Sequence, residues 1–266
     1  MVSLSTFGKR RRPPPDDMTL GEHLGELRYR VVLCVIAFSI AVVVGVIFYQ
    51  PILNFLLHPL CSVEQSGSHR GADGGSLLLN SHGTCQLFVT SPLDGLSLRV
   101  KIAVFSALVL ASPVILFQVW RFVTPGLKAS ERRYAIPFVL CSFLLFLLGA
   151  ATAYLTLPHA LAWLKSVGGP SLTSIYDPLP YLRLILVMMM IFGITFEFPV
   201  ILVSLELGRV VTPARLLRAW RWAVILIVVV AAVFTPSSDP FSMLALAVPL
   251  VVFYFVSIGI GKLFGR

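Results

Sequence analysis

Three carboxylates lie in strongly basic regions of the sequence. Glu22 and Glu26 precede the first apolar run, and Glu131 lies in the segment KASERR. A carboxylate can accept the planar guanidinium group of arginine through two parallel hydrogen bonds, so these residues are candidates for binding a cationic ligand. The alternative is local pairing, of Glu26 with Arg30 and of Glu131 with Arg132, which contributes only ~0–1 kcal/mol at a surface. The residues alone leave both interpretations open.

Glu197 lies in the middle of the apolar stretch FGITFEFPVILVSL, residues 192–205. A carboxylate at the centre of a membrane-spanning helix costs about 2.5–3.5 kcal/mol on insertion scales. A carboxyl kept at this depth therefore needs a functional or structural reason. A structural reason would be that its own bundle satisfies it, for example through Thr195 or a neighbouring span.

Other reactive side chains do not form a recognisable site. The five histidines are scattered, and none stands at ligand spacing from a cysteine or a carboxylate. The glycines do not form a phosphate-binding P-loop. We therefore expect no metal, no cofactor and no catalytic residues, which predicts that the protein is not an enzyme.

The composition identifies the elements that position these residues. Of the 266 residues, 57% are hydrophobic and only 12% are charged, whereas soluble domains have roughly 25% charged residues. The apolar runs do not alternate as strands of a β-barrel would. We therefore predict an all-α membrane protein with six transmembrane helices, each of about 20 residues. The six apolar segments run near residues 31–49, 100–120, 135–157, 182–205, 220–235 and 241–260.

The fifth segment is short, because its uninterrupted apolar run extends only from Trp222 to Phe234. At 1.5 Å per residue it covers about 20 Å of a hydrocarbon core that is ~30 Å thick. A re-entrant hairpin made from the fifth and sixth segments is the alternative topology.

The net charge of +9 is distributed unevenly. Most basic residues lie before residue 31, at 121–133, at 209–221 and at the C-terminus. By the positive-inside rule both termini are then cytoplasmic, and we expect a lipid bilayer rather than nucleic acid as the surrounding partner. Three further basic residues lie near the starts of the second and fourth segments, namely Arg99, Lys101 and Arg183.

Residues 1–17 are expected to form a disordered basic, proline-rich tail, followed by a single transmembrane domain over 18–266. The first external loop, 50–98, is rich in Gly and Ser and contains Cys61 and Cys85. Two thiols on the oxidising side of the membrane predict a disulfide.

Two other connections are also expected to be irregular. The external segment 158–180 contains Pro158 and three further prolines, which predicts a cap with little regular helix. The segment ELGRVVTPARLLRAWRW, beginning at Glu206, is expected to form the last large cytoplasmic loop.

Six short blocks stand out along the chain. They are HLGELR at 23–28, SPLDG at 91–95, ASPVILFQVWRFVTPGL at 111–127, ERR at 131–133, FGITFEFPV at 192–200 and TPSSDP at 235–240. This ordered set resembles the TatC family, the multispanning subunit of the twin-arginine protein translocase. The resemblance implies a concave six-helix bundle in which helices five and six are short.

The resemblance also implies a function. TatC proteins receive the twin-arginine signal peptides of folded precursors at the cytoplasmic face of the bacterial plasma membrane. They assemble single-span TatA/TatB-type subunits and further copies of themselves, and transport uses the proton-motive force. The positions matching the family's signal-peptide site are Glu26, Arg28, Phe122, Leu127, Glu131 and Arg133.

The same resemblance implies that Glu197 contacts a partner helix within the membrane, and that Asp94 and Asp239 are functional residues of the external loops. The alternative function is a proton-coupled small-molecule transporter, which needs ionisable residues on several spans along one path. Glu197 is nearly alone at membrane depth in the predicted spans. A purely structural scaffold is the remaining alternative.

Overall fold

A computed structural model describes residues 20–68, 92–123, 135–168, 178–208, 210–236 and 239–263. Every regular element in these ranges is an α-helix, which confirms the predicted all-α class. The helices are α1 (Leu20–Ile47), α2 (Tyr49–Ser68), α3 (Asp94–Val123), α4 (Ala135–Gly168), α5 (Pro178–Thr195), α6 (Phe198–Leu207), α7 (Pro213–Arg218), α8 (Trp220–Phe234) and α9 (Pro240–Leu263).

Within the described residues, five stretches are long and apolar enough to cross a bilayer, and they match five of the six predicted segments. They run over Gly25–Ile47, Asp94–Arg121, Ile136–Val167, Leu179–Leu207 and Pro240–Leu263. The fourth stretch comprises α5 and α6 together. The remaining predicted segment is α8, an apolar helix of 15 residues, which is shorter than a bilayer core requires.

Helix α9 is the sixth predicted span, and the expectation that this span is short is wrong. It has 24 residues, enough to span about 36 Å. Pro249 lies inside α9, and its position is half-buried. The helix continues through it because proline removes only one hydrogen bond and neighbouring helices supply compensating packing.

Two segments expected to be irregular are helical where they adjoin the spans. Helix α2 occupies the beginning of the expected loop 50–98, because Leu56, Leu57 and Leu60 form a buried face. Helix α4 likewise continues past Pro158 to Gly168, so the expectation of little regular helix fails for residues 158–168. The buried residues Leu157, Ala160 and Leu161 give this extension a packed face that outweighs the proline.

Helix α5 runs through the centre of the main core. Its residues Leu182, Ile185, Met188 and Phe192 are fully buried and recur every three or four positions. The same core cluster includes residues of α2, α3, α4, α8 and α9. A helix enclosed in this way fixes the position of the residues that directly follow it, among them Glu197.

Helices α1 and α3 pack closely and antiparallel. Gly45 lies against Ala103, and four residues earlier Ala41 packs against Ala107 and Ala111. Residues earlier in α1 contact residues later in α3, so the two helices run in opposite directions. The start of α1 therefore lies at the same end of the bundle as the end of α3. This register brings Glu26 to the end from which the connection 124–134 leaves.

Candidate functional site

The fourth span is interrupted at Glu197, between α5 and α6. Pro199 follows within the first turn of α6, and proline lacks the N–H needed to continue the helical ladder. The carbonyl oxygen of Glu197 accepts the backbone N–H groups of Val200 and Ile201, at 3.0 and 3.1 Å. The interruption therefore places an acidic residue at a helix start inside an apolar span.

A polar network reaches Glu197 from two other helices. The indole N–H of Trp120 on α3 donates to Ser142 Oγ on α4 at 3.0 Å. The Ser142 hydroxyl lies within hydrogen-bonding reach of the Glu197 carboxyl. Oxygen Oε1 of Glu197 is buried and has no hydrogen-bond partner among the described residues. The Glu197 carboxyl is thus contacted by Ser142 of a neighbouring span. Its oxygen Oε1 remains available to accept a further hydrogen bond.

Thr195 does not donate its hydroxyl to the Glu197 carboxyl, although the sequence suggested it as a partner. Its hydroxyl donates to the backbone oxygen of Ile191 at 2.6 Å. Threonine in a helix commonly bonds back in this way, because the carbonyl four residues earlier is within reach. The neighbouring span, through Ser142, is the contact within the bundle.

An apolar cavity of about 390 Å³ lies beside this network. It is bounded by α4, α6 and α9, and Cys141, next to Ser142, lines it together with Val200 and Val203. Phe253 and Ser257 contribute the α9 side. The cavity presents an apolar groove adjacent to a buried acceptor, which suits an apolar helix that carries one polar group.

The candidate signal-peptide residues are only partly within the described structure. Glu26 is partly exposed and forms an ion pair with Arg30, whose own side chain is almost buried. Arg28 is exposed. This is the local pair that the sequence offered as an alternative for Glu26. The side chain of Phe122, and all of Leu127, Glu131 and Arg133, lie outside the described residues.

Two of the predicted external residues occupy helix starts. Asp94 is in the first turn of α3. Asp239 is 1% exposed and accepts the backbone N–H of Ser242 at 2.7 Å, which is the geometry of an N-cap. Cys61 is disulfide-bonded, whereas its predicted partner Cys85 lies outside the described residues, so that pairing stays a prediction.

Glu206 is a buried carboxylate that the sequence analysis assigned to a loop. It lies in α6, is 1% exposed, and neither carboxylate oxygen has a hydrogen-bond partner among the described residues. Its carboxyl lies against Gly261 of α9. The sequence carried a signal for this, because Leu207 after Glu206 is again apolar. The span therefore includes Glu206 and ends at Leu207, although an acidic residue suggests a loop at that position.

Comparison with known proteins decides the family. The family model described as Sec-independent protein translocase protein (TatC) matches residues 22–249. The chain belongs to the TatC family. The six blocks that carried the resemblance all begin within this matched region.

Named relatives agree with this assignment along the whole chain. The TatC protein of Frankia casuarinae is 42% identical over 267 residues, covering 100% of this chain and 71% of its own length. The TatC protein of Aquifex aeolicus is 34% identical, covering 94% of this chain and 97% of its own length.

A solved TatC structure has the same fold. The crystal structure of the twin-arginine translocase receptor TatC superposes with a TM-score of 0.70 at 33% identity, covering 92% of this chain and 100% of that one. With five long apolar stretches among its described residues, this TatC chain is a multi-pass membrane protein.

Proposed function

We propose that this TatC protein is the core receptor subunit of a twin-arginine translocase. It binds the twin-arginine signal peptides of folded precursors at the cytoplasmic face of the bacterial plasma membrane. It then assembles single-span TatA/TatB-type subunits, and further copies of itself, for export driven by the proton-motive force. The membrane is crossed six times, with α8 as the short fifth span and both termini in the cytoplasm.

The observation that carries the receptor role is the antiparallel packing of α1 on α3. It brings Glu26 to the bundle end from which the connection 124–134 leaves, and this connection contains Glu131. Glu26 and the Glu131 carried by this connection would provide acceptors for two guanidinium groups. Phe122 at the end of α3 and Leu127 in the connection would supply apolar contacts for the stretch that follows the arginines.

The ion pair between Glu26 and Arg30 is compatible with this role. Glu26 retains 30% exposure of its side chain, so an incoming arginine can reach it from solvent. A bidentate guanidinium of the signal can replace this single contact, because the Glu26 carboxylate stays partly exposed. The local pair then holds the carboxylate in place until a signal binds.

The partner role rests on Glu197 and the groove beside it. An apolar helix in the groove between α4, α6 and α9 would pack against Val200, Val203 and Val256. A polar group on that helix could donate to Oε1 of Glu197, which has no partner among the described residues. Interhelical polar contacts of this kind contribute ~0.6–2 kcal/mol.

The orientation rests on charge. Arg28, Arg218 and Lys262 lie at the bundle end that also carries Glu26, and basic residues flank spans on the cytoplasmic side. The exposed Arg221, near the start of α8, lies at this end as well.

Retention of a signal peptide tests the receptor role. The purified protein in nanodiscs is captured with an immobilised peptide that carries Arg-Arg before an apolar stretch, and with the same peptide carrying Lys-Lys. We expect strong retention on the Arg-Arg peptide and weak retention on the Lys-Lys peptide, since lysine cannot form the bidentate contact. Equal retention on both peptides would exclude a twin-arginine receptor.

A further inference from the structure

A second cavity, about 630 Å³ in volume, lies at the bundle end where α3 and α5 begin. Two cations from different helices line it, Lys101 of α3 and Arg183 of α5. Pro236, between α8 and α9, contributes a third side. The rest of the lining is apolar and comes from α5, including Leu184 and Val187. The cavity is therefore amphipathic, with its charge contributed by two helices.

Both cations lie within stretches that are long and apolar enough to cross a membrane. Lys101 is about 10 Å along the α3 axis from Asp94, and Arg183 is about 8 Å along α5 from Pro178. At this depth a side chain lies near the headgroup region of a bilayer rather than in bulk water. Lysine and arginine reach that region by extending their charged ends along apolar surface.

Neither cation is neutralised within the described part of the chain. The ion pair found there joins Arg30 and Glu26, and it lies at the opposite end of the bundle. A third cation at this end, Arg99, is engaged differently, because its guanidinium lies 5.1 Å from the ring centre of Tyr49. Lys101 and Arg183 are thus two exposed charges that face one cavity without a counter-ion from those residues.

We propose that this cavity binds the headgroup of an anionic phospholipid, with the lipid phosphate held between Lys101 and Arg183. Two convergent cations from neighbouring helices match a phosphate. The first turn of α5 also borders the cavity, and the positive end of its helix dipole favours an anion there. This site goes beyond the receptor role and involves none of its residues.

The apolar part of the lining selects a lipid over a free anion. Leu184 and Val187 continue from Arg183 along α5 toward the membrane interior, so an acyl chain attached to the bound phosphate would lie against them. With the proposed cytoplasmic termini, the cavity faces the outer leaflet. The chemistry of binding itself does not depend on that orientation.

The test measures lipid retention by native mass spectrometry. The full-length protein is released from nanodiscs containing equal amounts of phosphatidylglycerol and phosphatidylcholine, and the bound lipid is counted. The variants are Lys101→Gln, Arg183→Gln and their combination. Lys262→Gln is the matched control, because it removes an exposed cation at the other end of the bundle. Lys101→Arg keeps the charge, and thermal melting verifies that each variant is folded.

We expect the wild-type protein to retain phosphatidylglycerol in preference to phosphatidylcholine. Retention should fall about fivefold for each cation removed, remain unchanged in Lys262→Gln and persist in Lys101→Arg. Adding inorganic phosphate at 10 mM should not displace the lipid, since phosphate lacks the acyl chain.

Three results would overturn the proposal. One is equal retention of both lipids by the wild-type protein, a comparison that needs no variant. Another is the same loss in Lys262→Gln as in the two cavity variants, which would indicate a general effect of charge. Displacement of phosphatidylglycerol by inorganic phosphate alone would identify a site for small anions instead of lipids.

Discussion

The carboxyl group of Glu206 in α6 occupies the space that a side chain at position 261 of α9 would fill. A Cβ atom added at Gly261 would overlap this carboxyl, and it would lie 3.0 Å from Cγ of Pro213 in α7. Glu206 is 1% exposed, so its carboxyl has little freedom to move aside. The absence of a side chain at position 261 therefore permits a buried carboxyl between three helices.

Replacing Gly261 tests this relationship. Gly261→Ala should destabilise the protein by about 1–3 kcal/mol, because an added methyl group forces backbone or side-chain shifts in a packed core. Thermal melting in detergent measures the loss. Gly259→Ala is the matched control, since nothing lies within 4 Å of a Cβ at that position. Equal melting temperatures for the two variants would contradict the account.

The pair can also be tested through its coupling. Glu206→Ala removes the carboxyl that the new methyl group would meet, so Gly261→Ala should cost less in that background than in the wild-type protein. Neighbours that share a contact show coupling of about 0.5–3 kcal/mol. Strictly additive losses in melting experiments would mean that the two residues are independent.

A second glycine holds α1 against α3. A Cβ at position 45 would lie 2.9 Å from the carbonyl oxygen of Ala103, and it would also overlap the Ser106 hydroxyl. Gly45→Ala should therefore separate the two helices and lower the melting temperature, because close helix packing in membranes depends on small residues. Gly25→Ala, which meets nothing within 4 Å, is the control. Unchanged melting of Gly45→Ala would show that the α1–α3 contact is adaptable.

Glu197 should matter for partner assembly more than for folding. Glu197→Gln keeps hydrogen-bonding capacity without charge, so it should retain more transport than Glu197→Leu. The loss of one intramembrane polar contact should weaken assembly by ~0.6–2 kcal/mol. Photo-crosslinkers at Val200 and Val203, which line the groove beside Glu197, should capture a single-span subunit. Normal transport by Glu197→Leu, or its failure to accumulate in the membrane, would leave the partner contact without support.

The disulfide of the first external loop remains a prediction for its second cysteine. Joining Cys61 to Cys85 closes a loop of about 25 residues, which restricts the unfolded chain by roughly 3.5 kcal/mol in the chain-entropy model. Mass spectrometry of the protein from native membranes, with and without reduction, should find the linked peptide pair. Two free thiols in the unreduced sample would disprove the pairing.

The apolar composition was sufficient to predict the helical class and the approximate positions of the spans. Hydropathy could not predict where α4 ends, because its extension past Pro158 is stabilised by burial of Leu161 against other helices. It also ended the fourth span too early, since the tertiary site that accommodates Glu206 depends on Gly261, which lies 55 positions later.

The candidate site was predictable to a similar extent. Glu197 stood out in the sequence because an acidic residue in an apolar run is rare. Its neighbours Trp120 and Ser142 did not, because they come from two other helices and their approach is set by packing. The local pair of Glu26 and Arg30 was predictable, since residues four apart share one face of a helix.

The central claim is that Glu26 and Glu131 receive the two arginines of the signal. A double-mutant cycle tests it most directly. Glu26→Gln and Glu131→Gln are each crossed with Arg→Lys at either signal position, and binding is measured in nanodiscs. Asp94→Asn, at the opposite end of the bundle, is the control.

We expect each Glu→Gln change to weaken binding of the Arg-Arg signal roughly 10- to 150-fold, as for a lost charge-assisted contact. For each glutamate, the loss should shrink when the arginine that it contacts is already lysine, because both changes then break the same contact. Asp94→Asn should change nothing. Additive losses for both glutamates at both signal positions would contradict the account, because neither glutamate would then contact the arginine pair.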